Sequence, residues 1–357
     1  MTILLPCGCE PRVPEGFHAA AARRKSVSAR TAHKAKVKAP TQTAAPRRID
    51  VHHHISPPEY RRMKNEAKLG PANARRDALY DGWHPGIAIE TMDEGGVEVA
   101  ITTTSDGQFI SLHPERVRIA RECNEFAAKM QQDYPGRFGH FATMPMPDVD
   151  ACLKEIEYSL DTLGFDGVDI RTSYGMKWLG NADFEPIYQE LNRRKAVVYC
   201  HPHEPVFAGN LIPGVSGATI EYATDSTRAI ASVLFGEVTT KYPNVRFIFS
   251  HGGGTLPFLL DRFKGLATHK QHEGKFPRGL MAEIRKLHYE CAQAIHPGAL
   301  DAFLRMAPLG QLLFGTDFPH FTAKYTAKRL EQYDGFGPKE LAAIYRGNAL
   351  KMFPRFK

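Results

Sequence analysis

From Ile49 onward, short apolar runs alternate with amphipathic stretches, and this rhythm narrows the folds open to the chain more than any other feature. The apolar runs fall at 49–54, 97–103, 137–143, 167–171, 196–201, 245–251, 287–291 and 311–317. Their length and their content of β-branched and aromatic residues suit strands, and the segments between them carry helical spacing. A helix is expected around 87–94, closed by Gly95-Gly96. Pro114 opens another that runs to about Asp133, with Val117, Ile119, Ala120, Cys123 and Phe126 on its apolar face and Pro135-Gly136 behind it. Further helices are expected at 149–163, 184–194 and 219–240. Eight strands alternating with helices are what a closed parallel (β/α)8 barrel, the TIM-barrel class of α/β fold, requires. A doubly wound open sheet is the alternative. It ranks lower because no glycine fingerprint follows the first strand.

No internal repeat or low-complexity break interrupts this span, so residues 49–357 read as a single domain. An apolar fraction of 43% in 357 residues is enough for a real core. The formal charge of +7 is unevenly spread: residues 1–48 hold ten Lys or Arg against two Glu, while the other 36 basic and 37 acidic residues nearly cancel. A near-neutral body argues against a nucleic-acid surface, which needs clustered positive charge. Residues 1–48 have the composition of a disordered, solvated extension. An organellar transit peptide or, through Arg23-Arg24, a twin-arginine export signal is the alternative, although no apolar segment of export length follows. Such a tail could also tether the chain to acidic partners. No run reaches the length of a membrane span. The six cysteines (Cys7, Cys9, Cys123, Cys152, Cys200 and Cys291) show no framework spacing. Free thiols in a reducing compartment, and hence a cytoplasmic location, are expected.

In a parallel barrel the carboxyl ends of all strands meet on one face, so residues distant in sequence become neighbours if each closes a strand. Strand one ends in His52-His53-His54, and alternation along a strand puts His52 and His54 on one face and His53 on the other. Strand five ends in His201, strand six in His251 and strand eight in Asp317. Taken singly, these residues have ordinary explanations. Three histidines can be a surface turn or a tag remnant, His201 a strand cap, Asp317 a helix N-cap and Gly252-Gly253-Gly254 a tight turn. Together on one rim they make a site. Three imidazoles and a carboxylate suit one divalent cation, Zn²⁺ or alternatively Mn²⁺, and one histidine remains for proton transfer. His203 could replace His201, but Pro202 breaks the strand and His203 is expected in the loop. Of the remaining histidines only His320, just beyond Asp317, is placed to line a pocket.

The pattern Ile49-Asp50-Val51-His52-His53-His54, His201-Pro202, His251-Gly252-Gly253-Gly254-Thr255-Leu256-Pro257-Phe258 and Gly315-Thr316-Asp317-Phe318-Pro319 resembles the amidohydrolase superfamily. The branch it resembles contains aminocarboxymuconate-semialdehyde decarboxylase and related aromatic-acid decarboxylases. The likeness extends from Ile49 to Gly347-Asn348-Ala349. It implies that His52, His54, His201 and Asp317 bind one metal and that His251 is the acid/base, with Asp317 sharing in catalysis. It also implies that Arg262 reaches the substrate carboxylate of a neighbouring subunit in a homodimer. A second carboxylate-binding arginine would be Arg61, Arg62, Arg75 or Arg76. Strand four, ending near Arg171, offers no lysine to bridge a second metal.

The activity this implies is non-oxidative decarboxylation of a small aromatic or muconate-type carboxylic acid, with Arg262 and His320 on the substrate. Hydrolytic relatives share the metal ligands, so a hydrolase or lactonase of a small cyclic carboxylate is the runner-up. A metal-stabilised binding protein without turnover is a third possibility, against which the spare His251 argues. The long loop after strand one, through Asp81, and residues near Phe207 and Glu221 are expected to set the substrate.

Overall fold

A computed structural model describes residues 47–67, 78–80, 82–104, 108–208 and 212–357. The extension expected at 1–48 lies outside these residues except for Arg47 and Arg48, and so do Cys7, Cys9, Arg75 and Arg76. Eight parallel strands form one sheet in sequence order: β1 Arg48–Ile55, β2 Val97–Thr104, β3 Phe138–Thr143, β4 Gly167–Arg171, β5 Val197–His201, β6 Arg246–Phe249, β7 His288–Glu290 and β8 Leu312–Leu313. Each successive pair is parallel, with a helix between most of them, which is the (β/α)8 barrel that the alternation predicts. Strands two to seven fall within two residues of their expected limits.

Strand eight differs, being only two residues long where 311–317 was expected. Beyond it the chain bonds to β1 instead of continuing a ladder with β7. Val51 N–H donates to Phe314 O at 3.0 Å, Asp317 N–H to His52 O at 2.8 Å, and His54 N–H to Phe318 O at 2.9 Å. Asp50 reinforces this seam, its Oδ1 accepting from Thr316 N at 3.0 Å and its Oδ2 from Thr316 Oγ1 at 2.6 Å. These bonds close the barrel. The helix expected at 219–240 also differs. It spans Gly217–Phe235, and after Gly236 the left-handed Glu237 (φ 63°) starts a separate turn, Val238–Lys241.

Two apolar layers flank the strands. Outside, they pack on the helices, with Ala100, Phe138, Val168, Ile170, Val198, Phe247, Phe249 and Tyr289 among the buried contacts. Inside, Ile49, Val51, Val99, Ile101, Phe141, Val197, Tyr199, Ile248 and Leu313 fill the lower barrel, joined by Ala349, Met352, Phe353 and Phe356 of the C-terminal segment. Phe141 and Tyr199 stack across this interior at 5.2 Å. Cys123, Cys152, Cys200 and Cys291 are buried free thiols, as expected of unpaired cysteines.

Candidate active site

The His52–His54 pair owes its aim to an irregularity in β1. Ile49 and Val51 both belong to the interior cluster, so strict alternation would carry His53 inward and turn His52 and His54 out. The register against β2 shifts between Asp50 and His53, where Val51 and His52 together oppose the single residue Ile101. This bulge restores His52 and His54 to the interior and sends His53 to the outer side, where its ring stacks on Phe318 at 4.3 Å and its Nδ1 meets Asp50 Oδ2 at 3.1 Å.

His52, His54, His201 and Asp317 then converge, with one ligand-type atom from each lying within 4.8 Å of the others. His52 Nε2 is 3.1 Å from His54 Nε2 and 3.2 Å from Asp317 Oδ1, and His54 Nε2 is 3.1 Å from the same oxygen. All four residues are buried. Each imidazole is oriented through its other nitrogen. His52 Nδ1 lies 3.0 Å from Glu290 Oε1, His54 Nδ1 2.8 Å from Thr103 Oγ1, and His201 Nδ1 donates to Pro202 O at 2.7 Å. Anchoring Nδ1 leaves Nε2 to face the centre. Asp317 is fixed in the same manner, its Oδ2 accepting from Gln293 Nε2 at 2.5 Å while its backbone holds a left-handed φ of 63°.

These residues fit a cation. Among the described residues buried His201 Nε2 has no hydrogen-bond partner, an expensive condition for a polar atom unless it serves as a ligand. Burial pushes His54 down to about 3 and His201 well below the usual imidazole range, so both present neutral, metal-ready nitrogens. Burial also works against charge on His52, but the carboxylates of Asp317 and Glu290 outweigh it and raise that ring to about 10. Burial alone would lift Asp317, yet His52 and His54 beside it hold the carboxylate well below its ordinary range. The result is three nitrogens and one carboxylate oxygen, a donor set for Zn²⁺ or Mn²⁺.

His251 stands beside this cluster without joining it, its ring centroid 5.2 Å from that of His52 and 6.0 Å from that of His201. Its Nδ1 bonds Ala292 O at 2.9 Å, which places the proton on Nδ1 and leaves Nε2 as the basic nitrogen. The three glycines that follow all have positive φ. A side chain on Gly254 would strike the Ala223 carbonyl at 1.9 Å and one on Gly253 the Tyr289 ring at 2.7 Å, so the run is required by its turn and packing.

His320 is half-buried, with its ring 6.4 Å from His54 and 6.3 Å from Tyr80, beside the cluster. His203 lies in the loop, buried against Ser173 Oγ at 3.0 Å and apart from the four converging residues. Arg262 is exposed on the helix Leu256–Ala267, and among the described residues no hydrogen bond or ion pair ties it to the cluster of its own chain. Of the other loop arginines, Arg61 caps the Tyr80 carbonyl at 2.6 Å and Arg62 pairs with Glu59 and Glu66 at the surface. At the end of β4, where a bridging lysine is missing, Arg171 is buried and paired with Asp169 at 2.6 Å. Phe207 lies under the Arg228 guanidinium, and Glu221 accepts from that arginine at 3.2 Å.

Sequence reasoning passed over Glu290, Thr103 and Gln293. Glu290 was legible by the rule that found the others, being a polar residue that closes an apolar strand. Thr103 and Gln293 act through one hydrogen bond each and carry no comparable signal.

A sequence profile of the family described as Amidohydrolase matches residues 49–355. Decarboxylase yanB of Aspergillus niger is 32% identical over 337 residues, covering 87% of this chain and 88% of that protein. The 6-methylsalicylic acid decarboxylase of Penicillium expansum is 34% identical over 325 residues, covering 87% and 97%. Among solved structures, a dihydroxybenzoic acid decarboxylase from Polaromonas sp. JS666, with bound manganese and the inhibitor 2-nitroresorcinol, matches with a TM-score of 0.72. The identity there is 20%, over 87% of this chain and 98% of that one, and this likeness speaks to the fold.

Proposed function

The chain belongs to the amidohydrolase family, and from that premise we propose that it is a metal-dependent, non-oxidative decarboxylase of a small hydroxylated aromatic acid. The observation that carries this reading is the pairing of a four-ligand cluster with a separate histidine whose proton-bearing nitrogen is set by Ala292. The names of the relatives support the aromatic over the muconate-type acid, and the manganese of the solved relative supports Mn²⁺ as readily as Zn²⁺.

When bound, the cation supplies a Lewis acid for substrate oxygens. His52, His54 and His201 would hold it through Nε2 and Asp317 through Oδ1. His251, protonated at Nε2, gives that proton to the ring carbon bearing the carboxylate. The bond from that carbon to the carboxylate then breaks, its electron pair returns to the ring, and carbon dioxide leaves. Asp317 contributes fixed negative charge beside the reacting centre, and His320 borders the ring. Burial of the cluster excludes water and strengthens each of these electrostatic contacts. Arg262, exposed on its helix, serves the carboxylate bound by a second copy, which makes the working unit a homodimer. Four buried free thiols suit the reducing cytoplasm. Among the described residues no helix is long and apolar enough to cross a membrane.

The test pairs elemental analysis with carbon dioxide release from 6-methylsalicylate, 2,6-dihydroxybenzoate and a muconate semialdehyde, for the wild type and His251→Ala. One equivalent of metal in both proteins, with carbon dioxide from the wild type alone, is the expected result. Metal without carbon dioxide, together with turnover of a lactone, would replace the decarboxylase with a hydrolase.

A further inference from the structure

Glu290 closes β7 with its side chain completely buried, and both carboxylate oxygens are engaged. Oε1 faces His52 Nδ1 at 3.0 Å and accepts from the backbone N–H of His251 at 2.6 Å, while Oε2 accepts from Ala292 N–H at 2.6 Å. Ala292 in turn supplies the carbonyl that holds the His251 ring. His251 is thus tied at its main chain and at its imidazole to one short stretch at the end of β7. Its backbone sits at φ 53°, a left-handed conformation that is unfavourable for a non-glycine residue and persists only where the surroundings hold it. Room for the carboxylate is reserved as well, since a side chain on Gly315 would come within 2.3 Å of Glu290 Oε2.

We infer that Glu290 is a positioning residue that sets two parts of the site at once, the metal ligand His52 and the acid/base His251. The inference goes beyond the proposed function and rests on it for the roles of His52 as a metal ligand and His251 as the acid/base. His52, His251 and Glu290 also gather within 4.8 Å as a possible ligand trio of their own. The hydrogen bonds argue against a second metal there. Both Glu290 oxygens accept N–H groups, His52 Nδ1 points at Glu290, and His251 Nδ1 is committed to Ala292. The trio therefore acts as a brace.

The experiment compares the full chain as wild type, Glu290→Gln, His251→Ala and the double variant, each stripped with chelator. Readouts are Mn²⁺ affinity by indicator competition, metal stoichiometry, kcat and KM at saturating Mn²⁺, and thermal stability. Glu290→Gln keeps the shape but replaces one acceptor with a donor, so it should weaken Mn²⁺ binding roughly 10- to 100-fold. It should also lower kcat at saturating metal by about tenfold or more, with KM little changed. His251→Ala should lower kcat and leave Mn²⁺ affinity intact. In the double variant, kcat should fall no further than in His251→Ala, while Mn²⁺ binding should be as weak as in Glu290→Gln. If Glu290→Gln melts too early to assay, Glu290→Asp keeps the charge on a shorter arm, and the same split between affinity and kcat is expected. Unchanged Mn²⁺ affinity, or kcat losses that multiply in the double variant, would overturn the inference. So would two equivalents of Mn²⁺ in the wild type and one in Glu290→Gln. The metal readout needs no turnover, so a weakened affinity in a chain inactive on every acid would sink the decarboxylase and preserve the link to His52.

Discussion

The lower and upper halves of the barrel interior are built from the same strands and treat burial in opposite ways. Below, Ile49, Val51, Val99, Ile101, Phe141, Tyr199 and Leu313 pack into an apolar layer closed by Phe353 and Phe356. Above, at the strand ends, His52, His54, Thr103, His201, Glu290 and Asp317 are buried just as deeply but are polar. The first layer stabilises through apolar area removed from water, about 25 cal/mol per Å². The second is tolerated because nearly every buried polar atom finds a partner, as with Thr103 on His54 and Gln293 on Asp317. Stability and chemistry are thus separated by one to four residues along the strands, as from Val51 to His52, from Tyr199 to His201 and from Leu313 to Asp317. This separation predicts that substitutions in the two layers have distinct consequences.

The largest effect is expected below. Phe141→Ala removes a ring stacked on Tyr199 and should cost about 3–5 kcal/mol in denaturant unfolding, while whatever chain remains folded keeps its Mn²⁺ affinity. A weakened metal affinity would mean that the layers are coupled. Next comes Asp317→Ala in the upper layer, which should abolish stoichiometric metal and reduce activity by more than the roughly 100-fold that outer hydrogen-bond partners are worth. Its circular dichroism spectrum should match the wild type, and loss of the fold would contradict the separation. Thr103→Val removes the oxygen beside His54 Nδ1 without changing size. The expected loss of Mn²⁺ affinity is nearer tenfold, and competition titration would measure it.

The last effect concerns pH and lies away from the candidate metal site. Burial pushes His140 down to about 3 and His288 down to about 4, so both stay neutral in the folded chain. An unfolded histidine takes its proton near pH 6.5, so below that value the unfolded state binds more protons than the folded one. Stability from these groups is complete above about pH 6.5 and falls as pH drops towards 4, with a slope of up to about 1.4 kcal/mol per pH unit for each. Urea unfolding of the metal-free chain at pH 7 and 5 would show it, and His140→Gln should make the decline shallower. An equal midpoint at both pH values would contradict the burial of these rings.

Most of the architecture was readable because period and punctuation are local properties. Gly167–Arg171 is bounded as the sequence suggests, and the ends of β1, β5 and β6 deliver their histidines to one rim. The exceptions depend on distant partners. Residues 314–318 look like a continuing strand, yet they leave β7 to bond with β1, a choice made by Asp50 and the backbone of His52 some 260 residues away. The bulge in β1 is equally invisible, because alternation read through Ile49, Val51 and His53 points the wrong histidine inward. Glu290 could have been found as a polar strand end. Its bond to the His251 main chain depends on the left-handed turn at that residue, which no composition or spacing announces.

The central claim is tested most directly by a crystal of the Mn²⁺-loaded chain, with an anomalous difference map recorded at the manganese edge. The account predicts one strong peak within bonding distance of Nε2 of His52, His54 and His201 and of Oδ1 of Asp317. A peak between His251 and Glu290, or no peak above noise, would contradict it.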